Sequence, residues 1–291
     1  MGIYIMNVYE IVTNRIIEEL KNGVIPWQKP WVGKESICIN YVSRKKYSLL
    51  NQILLGKPGE WLTFKQIQDR KGYLKKGAKG RMVVYFSLIE TSEKDKDGNF
   101  KKIPILKYYK VFHLDDVQGI QSKITIEETE HNPIEEAEAV ISNYLERENL
   151  KFSNHGSKAY YSPTTDEVKV PAKSQFSEIS EYYSTVFHEL THSTLHENRC
   201  NRREETKGSF FGNTPYSREE LVAELGAAML CNITHIDCKK AFKNSVAYIQ
   251  SWLEVLENDV KMIVWASSRA EKATKYIIGE PDEAEQYDIT E

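Results

Sequence analysis

Two histidines flank a glutamate and a short apolar spacer in the order His188-Glu189-Leu190-Thr191-His192. On a helix, residues four apart lie on one face with Cβ atoms about 5–6 Å apart. Two imidazoles so placed can hold one Zn²⁺. Glu189, beside the first ligand, can take a proton from metal-bound water and pass it to a leaving nitrogen, while the metal polarises a carbonyl. The pattern arises by chance in about one chain in fifty of this size and composition, so it is moderately specific. The competing reading is a helix with two solvated or hydrogen-bonded histidines.

A third ligand separates these readings. Beyond His192 comes YSREELVAELGAAMLC (216–231), a helical segment with Glu219, Glu220 and Glu224. Leu221, Leu225, Ala228 and Met229 give it a buried face, and Glu220 and Glu224 are again one turn apart. One of the two can ligate zinc while the other orients a ligating histidine. Against this stands the ordinary preference of carboxylates for a first helical turn. The two segments together favour the metal. His196 falls one further turn past His192. Three histidines on one helix leave poor tetrahedral geometry and no room for substrate, so His196 is assigned a supporting or structural place.

The elements that must position these residues occupy the second part of a 291-residue chain. Residues 119–133 are polar, acidic and end in Asn132-Pro133, which marks a linker; the expected division is 1–121, a linker at 122–133, and 134–291. Residues 134–149 read as a helix, 151–171 as a small antiparallel sheet, and 177 to about 278 as helices interrupted near 198–216. In the first part, Val8, Ile11, Val12, Ile16 and Leu20 mark an amphipathic helix over 7–22. Strands are expected at 37–41, 82–89 and 105–113, helices near 48–55 and 63–71, and a hairpin tip at Asp97-Gly98. The fold class is α+β in two domains.

Charge divides the same way. Residues 1–121 carry 21 Lys and Arg against 12 Asp and Glu, whereas 122–291 carry 18 against 30. The basic part suits a polyanion, although ordinary surface charge explains the count equally well. IPWQKPW (25–31) sets Trp27 and Trp31 among prolines; Arg44-Lys45-Lys46-Tyr47, Trp61 and LKKGAKGR (74–81), with Lys75, Lys76 and Lys79, follow. Interleaved cations and flat rings fit a single-stranded nucleic acid. The same residues also fit tryptophans packed on the first helix and an exposed turn at KKGAKG. Four scattered cysteines make no metal pair or disulfide framework. No apolar run spans a membrane, the start lacks a signal sequence, and a reducing cytoplasm is the simplest location. Met6 is an alternative initiator.

HELTHSTLHENRCNR (188–202) followed by YSREELVAELGAAML (216–230) resembles the metallopeptidase domain of the ArdC-type antirestriction family of mobile elements. The shared pattern falls on His188, Glu189, His192, Thr194, His196, Arg199, Arg202, Glu220 and Glu224. Glu220-Leu-Val-Ala-Glu224 is also similar to the ExxA[DE] element of other zinc peptidases. That likeness implies Glu220 as the third ligand and Glu224 as support for a histidine. GVIPWQKPW, INYVSRKKYSLLN, WLTFKQIQDRKGYLKKGAKG and YKVFHLDDVQG resemble, in order, that family's N-terminal single-stranded-DNA-binding domain. One departure is Leu49, where the family often has glycine in Tyr-x-Gly-Ile-Asn. The resemblance runs over about 7–235.

What it implies is an antirestriction protein serving conjugation, with single-stranded DNA and a host protein as partners, Zn²⁺ as cofactor, and no membrane. Two other classes remain: a DNA-binding protein with a structural, non-hydrolytic zinc, and a general zinc protease whose basic half recruits protein.

Overall fold

The computed structural model describes residues 7–28, 37–94, 96, 98–124, 132–202, 214–237 and 246–281. Trp31 and the Asp97 turn position lie outside them. The first helix, α1 (Val8–Lys21), begins at a capping box: the Asn7 side chain accepts from the Glu10 N–H, and the Glu10 carboxylate accepts from the Asn7 N–H. Val12, Ile16, Ile17 and Leu20 form its buried stripe.

There follow β1 (Cys38–Asn40), α2 (Leu49–Leu55), β2 (Gly59–Thr63), α3 (Phe64–Asp69), β3 (Tyr73–Leu74), β4 (Arg81–Lys94), β5 (Phe100–His113) and β6 (Val117–Gln118). Four of these strands make a sheet in the order β1-β2-β5-β4; β1 and β2 are parallel and the other pairs antiparallel. β4 is an edge strand, a place where unpaired backbone groups need cover. At Val84 the Asn51 side chain supplies it, accepting from the N–H at 2.7 Å and donating to the C=O at 2.8 Å. Leu49 needs no glycine-like freedom, because it opens α2 in helical conformation, its N–H donating to Glu271 Oε2 at 3.0 Å.

In the second part, Asn132 caps α4 (Pro133–Glu148), with the proline in the first turn, where its missing N–H costs nothing. The strands β7 (Lys151–Asn154), β8 (Tyr160–Ser162) and β9 (Glu167–Val170) pair in the order β7-β9-β8. This sheet is mixed, which corrects the antiparallel expectation: β8 and β9 are antiparallel, β7 and β9 parallel. A tight turn forces the first arrangement; β7 arrives from α4 on the far edge of β9, with β8 as the crossover. The helices α5 (Ile179–Ser193), α6 (Thr214–Ile233), α7 (Val246–Asn258) and α8 (Met262–Ile278) complete the chain. No described helix is long and apolar enough to cross a membrane.

One apolar core crosses the expected division at 121. It joins Val12, Ile16, Leu20 and Trp27 to Leu221 and Leu225 of α6, Trp252 and Leu256 of α7, and Ile263 of α8. Trp27 meets Trp252 edge-on with ring centroids 6.3 Å apart, and Thr13 Oγ1 donates to the Val260 carbonyl at 2.7 Å. Trp27 is only 3% exposed, so its expected place as a base-stacking ring is corrected. The ring packs among the apolar residues of α1, α6 and α7, which bury its large surface.

Truncating such a ring should be expensive. Trp27→Ala is expected to cost about 3–5 kcal/mol of stability, read from denaturant unfolding of the full chain. A fragment of residues 1–121, which loses half of that core, should show no cooperative thermal transition by circular dichroism. A sharp transition in the fragment would contradict the shared core.

Candidate metal centre

α5 is fixed by Tyr182, Tyr183, Val186, Phe187 and Leu190, all buried in a second core that also takes Ala227, Leu230 and Cys231 of α6. With those positions inward, His188 and His192 point towards α6. The two helices approach closely because α6 has Gly226 at the crossing. A Cβ there would lie 2.6 Å from Thr191 Cγ2 and 2.7 Å from its Oγ1. Thr191 cannot readily yield: it is β-branched in a helix, and its hydroxyl donates to the Phe187 carbonyl at 2.8 Å.

The approach brings three donors together. His188 Nε2 and His192 Nε2 are 3.1 Å apart, and the Glu220 carboxylate lies 3.6 Å from the first and 3.4 Å from the second. Donors about 2.0–2.2 Å from a single tetrahedral ion are separated by about 3.3–3.6 Å, so these three fit one coordination sphere and leave a fourth position open. Among the described residues, His188, His192 and Glu220 are the group able to hold a metal.

Each histidine also has its own carboxylate on the other ring nitrogen. Glu224 Oε1 is 3.6 Å from His188 Nδ1, and Glu219 Oε1 is 3.5 Å from His192 Nδ1. A proton held at Nδ1 leaves the lone pair on Nε2, so both lone pairs converge on one point. Such an arrangement calls for positive charge between them. Burial alone would depress both imidazoles, but the surrounding carboxylates prevail: His192 is pushed up to about 10 and His188 is also raised. Glu220, despite burial that would raise it, is held well below the usual carboxylate range by the two histidines.

Sequence reasoning gave no role to the partnership of Glu219 with Arg202. Arg202 Nη2 donates to Glu219 Oε1 at 2.8 Å and Nε to Oε2 at 3.3 Å, while Nη1 reaches Thr194 Oγ1 at 2.7 Å. Both side chains are buried. The signal was present in the HxxRxxR pattern, whose second arginine is this one. The first, Arg199, grips Asp166 through two bonds of 2.9 and 2.7 Å and Glu148 at 3.2 Å, tying the end of α5 to the β8–β9 turn. His196 lies past the end of α5, outside the donor cluster, where its Nδ1 accepts from the Asn198 N–H at 3.3 Å. Glu189 is 7% exposed, and among the described residues its carboxylate has no hydrogen-bond partner.

The candidate DNA-contacting residues are scattered by comparison. Lys45, Lys46, Lys75, Lys76 and Lys79 are exposed. Lys75 Nζ donates to the Asp115 carbonyl at 2.6 Å, and Arg44 pairs with buried Glu60. Tyr47, at 8% exposed, is a correction like Trp27: it packs with Cys38, Leu55 and Trp61 beneath the sheet, and its hydroxyl accepts from Asn40 Nδ2 at 3.3 Å.

Paired helices carrying two histidines and a carboxylate, beside a small sheet, are the architecture of a zincin-like metallopeptidase domain, and residues 135–269 match the family of that description. Residues 6–112 match the N-terminal domain of anti-restriction factor ArdC. Two crystal structures of the antirestriction protein ArdC from plasmid R388, one metal-free and one with Mn(II), align at a TM-score of 0.73 and 31% identity, over 94% of this chain and 97% of theirs. The chain belongs to the ArdC antirestriction family. The match to residue 269 carries the family through α7 into α8, beyond the limit near 235 seen from motifs. A DNA primase TraC of Escherichia coli is 30% identical over 93% of this chain, which spans 27% of that protein's length. An uncharacterized Sinorhizobium fredii protein, y4eC, is 27% identical over 97% of this chain and 95% of its own.

Glu219→Ala and Glu224→Ala should each weaken metal binding by about 10–100-fold, and Glu220→Ala by more, in titrations against a chelating dye. Gly226→Ala should destabilise the fold by about 1–3 kcal/mol through overpacking at Thr191. The Arg199 clamp predicts a response to acid. Burial raises the Asp166 carboxyl, but Arg199 and Tyr161 outweigh this and hold it below its ordinary value. Its contribution is therefore present above the unfolded carboxylate range and lost as pH falls through the lowered value. Arg199→Ala should flatten the loss of stability seen below about pH 4 in wild type.

Proposed function

We propose that this antirestriction-family protein uses its second half to hydrolyse a peptide bond with one divalent cation and its first half to hold single-stranded DNA. The observation that carries the hydrolytic reading is the convergence of His188 Nε2, His192 Nε2 and Glu220, with Glu189 next to the first ligand in sequence. Three protein ligands with an open position are the mark of a catalytic site; structural zinc is normally closed by four. Zinc suits the donor set and the donor spacing, and a two-histidine, one-carboxylate set also accepts Mn²⁺, the ion in the R388 relative.

A bound cation would polarise the scissile carbonyl and acidify a water in the open position. Glu189, whose carboxylate has no hydrogen-bond partner among the described residues, would be the group that takes up a proton beside the first ligand and returns it to the leaving amine. Glu224 and Glu219 hold the imidazoles in the tautomer that leaves Nε2 facing the cation. The first half, with its excess of Lys and Arg, holds the transferred strand near this site. The natural setting is the cytoplasm of a cell receiving a mobile element, with a host restriction component as the peptide substrate.

Glu189→Gln tests the chemistry, since His188, His192 and Glu220 all remain. It should keep metal content and DNA affinity but lose protection of transferred DNA in conjugation into a restricting recipient, with hydrolysis down about 10²–10⁴-fold. Full protection by this variant would rule out proteolysis as the protective act and favour a structural metal.

A further inference from the structure

Trp27 and Tyr47 lie in the core and Trp61 is only 1% exposed, so a strand-binding surface built from the described residues uses other rings. We propose that Phe64, Phe112 and Tyr108, with Lys79 and Lys110 among them, form the track on which the bases of single-stranded DNA stack. This rests on the DNA-binding reading above and gives it a location.

The alternation of β5 puts Tyr108, Lys110 and Phe112 on one face of the sheet. At one end of that face, Phe112 packs at the margin of a small core with Leu62 and with Ile67 of α3. At the other end, Val84 and Leu106 are buried with α1 and α2. Between these covered zones Lys110 is exposed, and Tyr108 is 47% exposed. Phe64, at the start of α3 and 49% exposed, lies edge-on to Phe112 with ring centroids 6.5 Å apart. The KKGAKG turn comes to the same place. A Cβ on Gly80 would be 3.1 Å from Phe112 Cζ and 3.4 Å from Lys110 Cβ, so the backbone after Lys79 lies against both.

The chemistry of the occupant follows from the surface. Residues 61–81 hold one acidic side chain, Asp69, against seven Lys or Arg, which favours a polyanion. Exposed rings between cations favour a polyanion with free aromatic faces. A duplex stacks those faces against one another, whereas a single strand offers them. An acidic protein would satisfy the lysines but leave Phe64 and Tyr108 without a matching partner.

The test uses the full-length protein and a fluorescently labelled oligothymidine, followed by anisotropy. Phe64→Ala and Tyr108→Ala should each weaken binding by roughly 5- to 150-fold, the effect of one lost base stack. Both rings are half in solvent, so melting temperature and metal content should stay near wild type. Phe64→Tyr and Tyr108→Phe should retain wild-type affinity. Lys79→Ala with Lys110→Ala should lower the slope of log affinity against log salt by about 1.4. If wild type binds the strand and the Phe64/Tyr108 double alanine variant binds it equally well, the track is wrong and the DNA-binding reading survives. If wild type does not bind at low salt, both fall.

Discussion

Charge removed from water must be compensated, and α6 places Glu219, Glu220 and Glu224 within two turns of one another beside its buried run Leu221–Leu225. An unpaired buried carboxylate costs several kcal/mol, so the surrounding structure is under a strict requirement. The cations that meet it come from other segments: Arg202 for Glu219, and His188 and His192 for Glu220, with His188 also facing Glu224. The tight α5–α6 crossing and the path of the chain through Arg199 and Arg202 follow from this need. Stability and chemistry here share one cause, because the groups that make burial of the acids tolerable are those that converge on a single cation position.

α6 also links the two main apolar cores. Its Ala227, Leu230 and Cys231 enter the core behind the histidine helix, and its Leu221, Val222 and Leu225 enter the core shared with α1. A helix used on both sides cannot present the single apolar stripe of a surface helix. The element that carries Glu220 thus packs directly against the first half as well as against the histidine helix.

Much of this was legible from residue order alone. His188, Glu189 and His192 declare a pattern because a helix has a fixed period, and the spacing of Glu220 and Glu224 follows the same rule. The elements of the first half were visible in apolar periodicity and turn residues, with β4 and β5 extending further along the hairpin than their apolar centres. Long-range partnerships were not visible. Nothing local in Trp27 distinguishes a stacking ring from a core ring; its burial depends on Trp252, 225 positions away. The Arg202–Glu219 pair joins positions 17 apart that no periodicity links. The parallel pairing of β7 with β9 was hidden for the same reason, since alternation reports which faces are buried but not which neighbour a strand chooses.

The core that crosses residue 121 has a further consequence for what holds the molecule together. Among the described residues the contacts between the halves include side-chain packing, the Thr13–Val260 hydrogen bond, the Leu49–Glu271 cap and the Lys21–Glu257 ion pair, none of which depends on peptide continuity between 121 and 133. Two separately expressed pieces, divided within that segment, would reassemble into one particle with its metal position intact, each completing the hydrophobic interior that the other lacks.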